Sequence, residues 1–221
     1  MINSLHNLTE SRYFASPIYL ENKPEWINYI NNICDKYIDE AKEKNIIKIL
    51  EQEEKFKKKI NDFGMSHHSN NLAQDKNLLE FINYISKTSW DILEHIGYNL
   101  TNYNLYLNDL WVQQFSEKGG GHHEGHVHSN CHISGFYFLK CSDKTSFPIF
   151  HDPRYSKSTI QLPLKNENEL NSGNEKIHFK PEPGTLLYFP AYLKHQFAVD
   201  YGVEPFRFIH FNLQAFEKIN K

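Results

Sequence analysis

The sequence predicts an α+β fold in which a mainly helical region over 1–100 supports a β-sandwich or barrel over 101–216, as one domain spanning 1–221. Two observations predict it. Up to Tyr98, apolar residues recur every three or four positions, the spacing of a helix face. Beyond Tyr98, short runs rich in Tyr, Phe, Val, Ile and Trp are separated by Gly, Pro, Asn and Ser clusters, the mark of many short strands.

Taken in order, Pro24 to Lys44 opens with a proline suited to a helix start and carries Trp26, Ile30, Ile33, Cys34 and Tyr37 at helical spacing. Asn45 to Asn61 sets many Glu and Lys around a thin apolar stripe and predicts a separate, solvated helix. From Gln74 to Ile96 the set Leu78, Ile82, Ile85, Leu93 and Ile96 steps by a helix repeat, with Gly97 as its C-terminal cap. These helices are expected to pack on the outside of a sheet. Strands are predicted near 104–115, 124–128, 132–140, 146–151, 158–163, 176–180, 185–190, 195–201 and 205–214, with Lys165 to Lys176 as an exposed loop.

The formal net charge of −3 leaves no basic excess for nucleic acid or an anionic membrane surface. No apolar stretch approaches the ~20 residues that span a bilayer. The opening MINSLHNLTESRYF lacks the basic and apolar regions of a signal peptide, so a cytoplasmic protein is expected. Cys34, Cys131 and Cys141 are odd in number and lack paired metal spacing, which fits reduced thiols. Nothing in the sequence sets the oligomeric state.

Six of the thirteen histidines fall between residues 122 and 151. Residues 122–128 read HHEGHVH. On an extended strand, residues two apart share a face, so His126 and His128 can reach one metal while Val127 turns away. His122 and Glu124 offer a second pair at the same spacing, nearer Gly119-Gly120-Gly121. Imidazole suits several metals, and a surface histidine cluster with incidental affinity is the bland alternative. Further on, residues 181–195 read PEPGTLLYFPAYLKH, a Gly turn, an apolar strand, a proline exit and then His195. Twelve positions later comes Arg207 in the alternating stretch PFRFIHFNLQ. Its planar fork of donors suits a ligand carboxylate, and an internal Asp or Glu would serve it equally.

His126-Val-His128, Ser134-Gly135-Phe136-Tyr137-Phe138, Asp152-Pro153-Arg154, Gly184 to Pro190, His195 and Arg207 with Phe211-Asn212 together resemble the Fe(II)- and 2-oxoglutarate-dependent oxygenases. Within that superfamily the chain is most similar to a branch of microbial and phage proteins with an HxH…H motif. The resemblance runs from about Trp111 to Asn212 and implies a double-stranded β-helix, a jelly-roll or cupin-like barrel. It implies Fe(II), 2-oxoglutarate and O2 as cofactors, and hydroxylation of a small-molecule or peptidyl substrate with release of succinate and CO2. By this resemblance His126, His128 and His195 are the iron ligands and Arg207 meets the distal carboxylate of 2-oxoglutarate. Ser134 and Gln113 are placed near the cosubstrate, Gln113 at the pocket mouth. Trp111, Phe136 and Tyr188 are its walls. Much of the superfamily has a carboxylate where this chain has His128, and Asp152 is the residue that could restore it. Phe138 stands where relatives often use a Tyr hydroxyl. Two alternatives are a three-histidine dioxygenase that does not use 2-oxoglutarate and a non-enzymatic barrel that binds zinc or a ligand.

Overall fold

The computed structural model describes residues 14–160, 162–167 and 169–219. Its elements in chain order are β1 (Tyr19–Asn22), α1 (Ile27–Phe56), β2 (Ser66–His68), α2 (Leu79–Ile96), β3 (Tyr103–Phe115), β4 (His123–His126), β5 (Ile133–Lys140), β6 (Pro148–His151), β7 (Lys176–His178), β8 (Thr185–Pro190), β9 (His195–Phe197) and β10 (Arg207–Glu217). Short 3-10 turns over Pro24–Trp26 and Lys76–Leu78 lead into the two long helices.

The two helices predicted over Pro24 to Asn61 are one. Ile30, Cys34, Ile38 and Ala41 bury a stripe along its first half, and its second half, with Ile46, Ile47, Leu50 and Phe56 exposed, runs on without core contact. No Gly or Pro lies between Ile27 and Phe56 to stop it. In α2 the buried face is Phe81, Ile85, Ser89, Ile92 and Leu93. Gly97 ends it at φ 112°, donating to Leu93 and Glu94 carbonyls, as the sequence predicts. One predicted strand is absent. Tyr155–Thr159 forms a 3-10 helix where 158–163 was expected to be extended, because Ser158 and Thr159 turn their hydroxyls back onto Tyr155 and Ser156 carbonyls. Residue 161 of that segment lies outside the described residues. Two short strands, β1 and β2, were not foreseen.

The strands form two antiparallel sheets of order β1-β8-β5-β10-β3-β2 and β4-β9-β6-β7. The larger sheet is buried on both faces. Its outer face carries Leu110, Val112, Tyr137, Leu186, Tyr188, Ile209 and Phe211, which pack with the buried stripes of α1 and α2. Its inner face carries Phe115, Phe136, Phe138, Leu187, Phe189 and Phe208, which meet Phe150 and Phe197 of the smaller sheet. Each such ring contributes about 1.5–3 kcal/mol by leaving water. No helix among the described residues is long and apolar enough to cross a membrane. The cysteines are all free, and burial pushes the Cys34 thiol up to about 12.

A one-residue irregularity between β3 and β10 sets which side chains enter this interior. Asp109 pairs with Asn212 but Leu107 pairs with Leu213, so Asn108 is the extra residue. Leu105 and Leu107 pack on the helix side, whereas past Asn108 the same alternation turns Trp111 and Phe115 inward.

Candidate metal centre

His126, the last residue of β4, pairs in register with His195, the first of β9. Cross-strand partners share a face, so the two rings meet, with centroids 4.5 Å apart. His128 follows two residues on, its backbone N–H donating to the Ala191 carbonyl at 3.0 Å. One nitrogen from each of His126, His128 and His195 lies within 4.8 Å of the others.

Two of the three rings have a settled tautomer. Nδ1–H of His126 donates to the Glu124 carbonyl at 2.7 Å, and Nδ1–H of His195 to that of Leu193 at 3.0 Å. Each Nε2 is left as a lone pair, the arrangement of a ligating imidazole held by a backbone acceptor. Nε2 of His128 stands 3.3 Å from Nε2 of His195. A proton on His128 bridges these nitrogens, and a metal ion can take its place. Burial pushes His195 down to about 3 and His128 down to about 4, with the neighbouring imidazoles adding to it. Neutral imidazole is the ligating form. Phe136, Phe150 and Phe189 close around His195, while His126 and His128 stay half-buried, so access is from one side.

The residues expected beside these histidines divide. Ser134 faces inward, fully buried, and donates to Asn212 Oδ1 at 2.7 Å. Gln113 is buried rather than at an open mouth, donating to Ser66 Oγ at 2.5 Å and contacting His123 Nε2. Trp111 and Phe136 line the interior, and Phe138 packs on Phe206 and Phe208. Tyr188 is on the opposite face, against Phe211 in the helix-side core. His122 folds onto the Gly120 carbonyl and Glu124 is exposed.

Two further expectations are corrected. Asp152 is not near the histidines in the role of a ligand: Arg154 donates to it at 2.7 Å and Lys157 lies at 3.1 Å, and these cations hold its carboxyl below the usual range. Arg207 does not reach the interior. It alternates with Phe208 and His210, so it shares the helix-side face of β10 with Ile209 and Phe211. There its guanidinium donates to Asp35 Oδ1 at 2.6 Å, Asn31 Oδ1 at 3.1 Å and Gln114 Oε1 at 2.8 Å. The internal acid, not a ligand, is its partner.

Three residues of the site escaped sequence reasoning. His210 is buried beside His128, ring centroids 4.5 Å apart, and its Nε2–H donates to Asn212 Oδ1 at 3.1 Å. Asn212 Nδ2 in turn lies 3.5 Å from His128 Nδ1. His123, pushed by burial down to about 4, occupies the space between Gln113 and His126. The signal for His210 was present: in PFRFIHFNLQ it stands out of phase with Arg207, so the two cannot face one pocket.

Residues 109–211, just under half the chain, match the family model described as "Putative 2OG-Fe(II) oxygenase". No curated protein sequence matches the chain. Among solved structures, AviO1 from Streptomyces viridochromogenes Tue57 is similar with a TM-score of 0.53 and 10% identity, covering 90% of each chain. A Pseudomonas putida prolyl-4-hydroxylase is similar with a TM-score of 0.52 and 9% identity over 90% of this chain and 94% of its own. A 2OG-Fe(II) oxygenase family oxidoreductase from Burkholderia pseudomallei is matched over 61% of this chain and only 57% of its own, at 10% identity and a TM-score of 0.42. The two fuller likenesses establish the fold, and the sequence match spans all three histidines. Over residues 109–211, the β core of this chain is similar to the 2OG-Fe(II) oxygenase family.

Proposed function

We propose that the chain is a non-haem Fe(II)- and 2-oxoglutarate-dependent oxygenase on a double-stranded β-helix, with His126, His128 and His195 as the iron ligands. The observation that carries this is the convergence of three imidazoles within 4.8 Å, two with Nδ1 anchored on backbone carbonyls. When bound, Fe(II) with 2-oxoglutarate and O2 supplies the chemistry that hydroxylates a substrate C–H bond and yields succinate and CO2. The protein's own work is orientation and exclusion of water. Leu193 and Glu124 carbonyls hold two ring orientations, Asn212 supports His128 and His210, and the phenylalanines around His195 keep that side dry. The half-buried side of His126 and His128 is where substrate enters, and a small metabolite or a prolyl side chain of a peptide would fit such an approach. The prolyl-4-hydroxylase of like fold supports the second, by analogy only.

The test is anaerobic addition of Fe(II) and then 2-oxoglutarate, following the visible charge-transfer absorption of the chelate. Wild type should give the band and His126→Ala and His195→Ala should not. A band that survives in either variant sinks the ligand assignment. One observation favours a second reading, a three-histidine dioxygenase that does without 2-oxoglutarate: Arg207 is spent on Asp35. Substrate-dependent release of succinate separates the two.

A further inference from the structure

If 2-oxoglutarate binds at the three histidines, its distal carboxylate needs donors, and Arg207 is on the wrong side of the sheet. The interior beyond the histidines offers none over much of its extent. Phe115, Phe136, Phe138, Phe197, Phe206 and Phe208 fill it with rings in mutual contact, Phe197 stacking on Phe208 at 4.6 Å. A carboxylate placed among them would be buried unpaired, at high cost.

The inner face of β3 is different. Trp111 lies between the buried ring of His210, 4.4 Å away and nearly parallel, and the ring of His68, 5.0 Å away on the exposed edge strand β2. This sandwich fixes the indole plane. Its Nε1 is buried with no hydrogen-bond partner among the described residues. Buried donors are nearly always paired, so an orphan beside a candidate metal centre marks a place for a ligand acceptor. Two residues on, at the next inward position, Gln113 donates to Ser66 Oγ, whose own hydrogen remains to be donated. The indole N–H lies two ring contacts from His128 through His210, and the Ser66 hydroxyl is held by Gln113, the next side chain on the same face of β3.

We infer that Trp111 Nε1 receives the distal carboxylate of the 2-oxo acid in place of an arginine. This makes Trp111 a specificity-determining residue for a dicarboxylic 2-oxo acid over a shorter one. The inference rests on the proposed 2-oxoglutarate dependence.

The experiment uses the full chain loaded with Zn(II), which is diamagnetic and redox-inert, and needs no turnover. Titration calorimetry compares 2-oxoglutarate with pyruvate, which chelates alike but has no distal carboxylate. Wild type should bind 2-oxoglutarate more tightly. Trp111→Phe keeps the stacked ring and removes only the donor, so it should weaken 2-oxoglutarate about tenfold or more, as for one lost hydrogen bond to a charged group, and leave pyruvate unchanged. Arg207→Gln should keep the preference. In wild type, the indole N–H NMR signal of Trp111 should shift with 2-oxoglutarate and stay in place with pyruvate, a readout that holds even if the variant folds poorly. Unchanged 2-oxoglutarate affinity in Trp111→Phe, or an unmoved indole signal, overturns this assignment and leaves the oxygenase reading intact. No 2-oxoglutarate binding by metal-loaded wild type overturns both.

Discussion

Arg207 donates through Nη1 to Asp35 Oδ1 at 2.6 Å, tying the start of β10 to the first half of α1 across the helix-side core. The arginine is almost fully buried and the aspartate half exposed. Removing the arginine therefore loses packing along its stem and strands Gln114, whereas removing the aspartate leaves a buried cation with two neutral acceptors. Arg207→Ala should lower unfolding stability by about 2–4 kcal/mol, measured by urea denaturation, with metal stoichiometry unaltered. Loss of cosubstrate binding in a variant of native stability would return Arg207 to the pocket.

Metal binding should be visible as stability. A ligand that binds only the folded chain at a hundredfold its dissociation constant adds about 2.7 kcal/mol. Zn(II) or Mn(II) should raise the melting temperature of wild type, and chelator should reverse the gain. Separate alanine substitutions of His126, His128 and His195 should each abolish the response. A full response in all three would place the ion elsewhere.

Acid should destabilise the metal-free protein through its buried histidines. His195 is held at about 3, and His123 and His128 at about 4, by burial, while in the unfolded chain they titrate near the ordinary value. Between roughly pH 6.5 and pH 4 the unfolded state binds the extra protons. Stability is therefore complete above that window and declines as pH falls, by up to about 1.4 kcal/mol per unit for each such group. Chemical denaturation at stepped pH measures the slope. A flat profile between pH 6.5 and 4.5 would mean that these rings are hydrated.

Gly135 should tolerate no side chain. A Cβ there would lie 2.1 Å from Phe211 Cζ and 2.5 Å from the Leu187 carbonyl oxygen. Gly135→Ala should cost more than about 2 kcal/mol, and shortening Phe211 should recover only part, because the second obstacle is backbone. Thermal unfolding of the single and double variants tests this.

Much of the β core was legible because Gly, Pro, Asn and Ser separate its apolar runs and because histidines two apart, HVH, can serve one ion. Arg207 was misplaced for a physical reason. Alternation in RFIHFN shows two faces, but both are buried, so hydropathy does not say which is inner. The phase of His210 would have decided it. Trp111 and Phe136 were placed inside correctly, whereas Tyr188 was not, for the same reason: β8 also buries both faces. Asp152 was plausible by its neighbourhood in sequence alone, and two nearby cations had already claimed it. The unbroken α1 was hidden because its second half, with Ile46, Ile47, Leu50 and Phe56 exposed, lies off the core and so carries little apolar pattern.

The extra residue at Asn108 has a consequence for how this chain can change over time. Substitutions along β3 alter one side chain each, but deletion of Asn108 would exchange the faces of everything on one side of it. Either Leu105 and Leu107 would leave the helix-side core or Trp111 and Gln113 would leave the interior. Descendants of this gene can therefore drift in the letters of that strand far more freely than in its length.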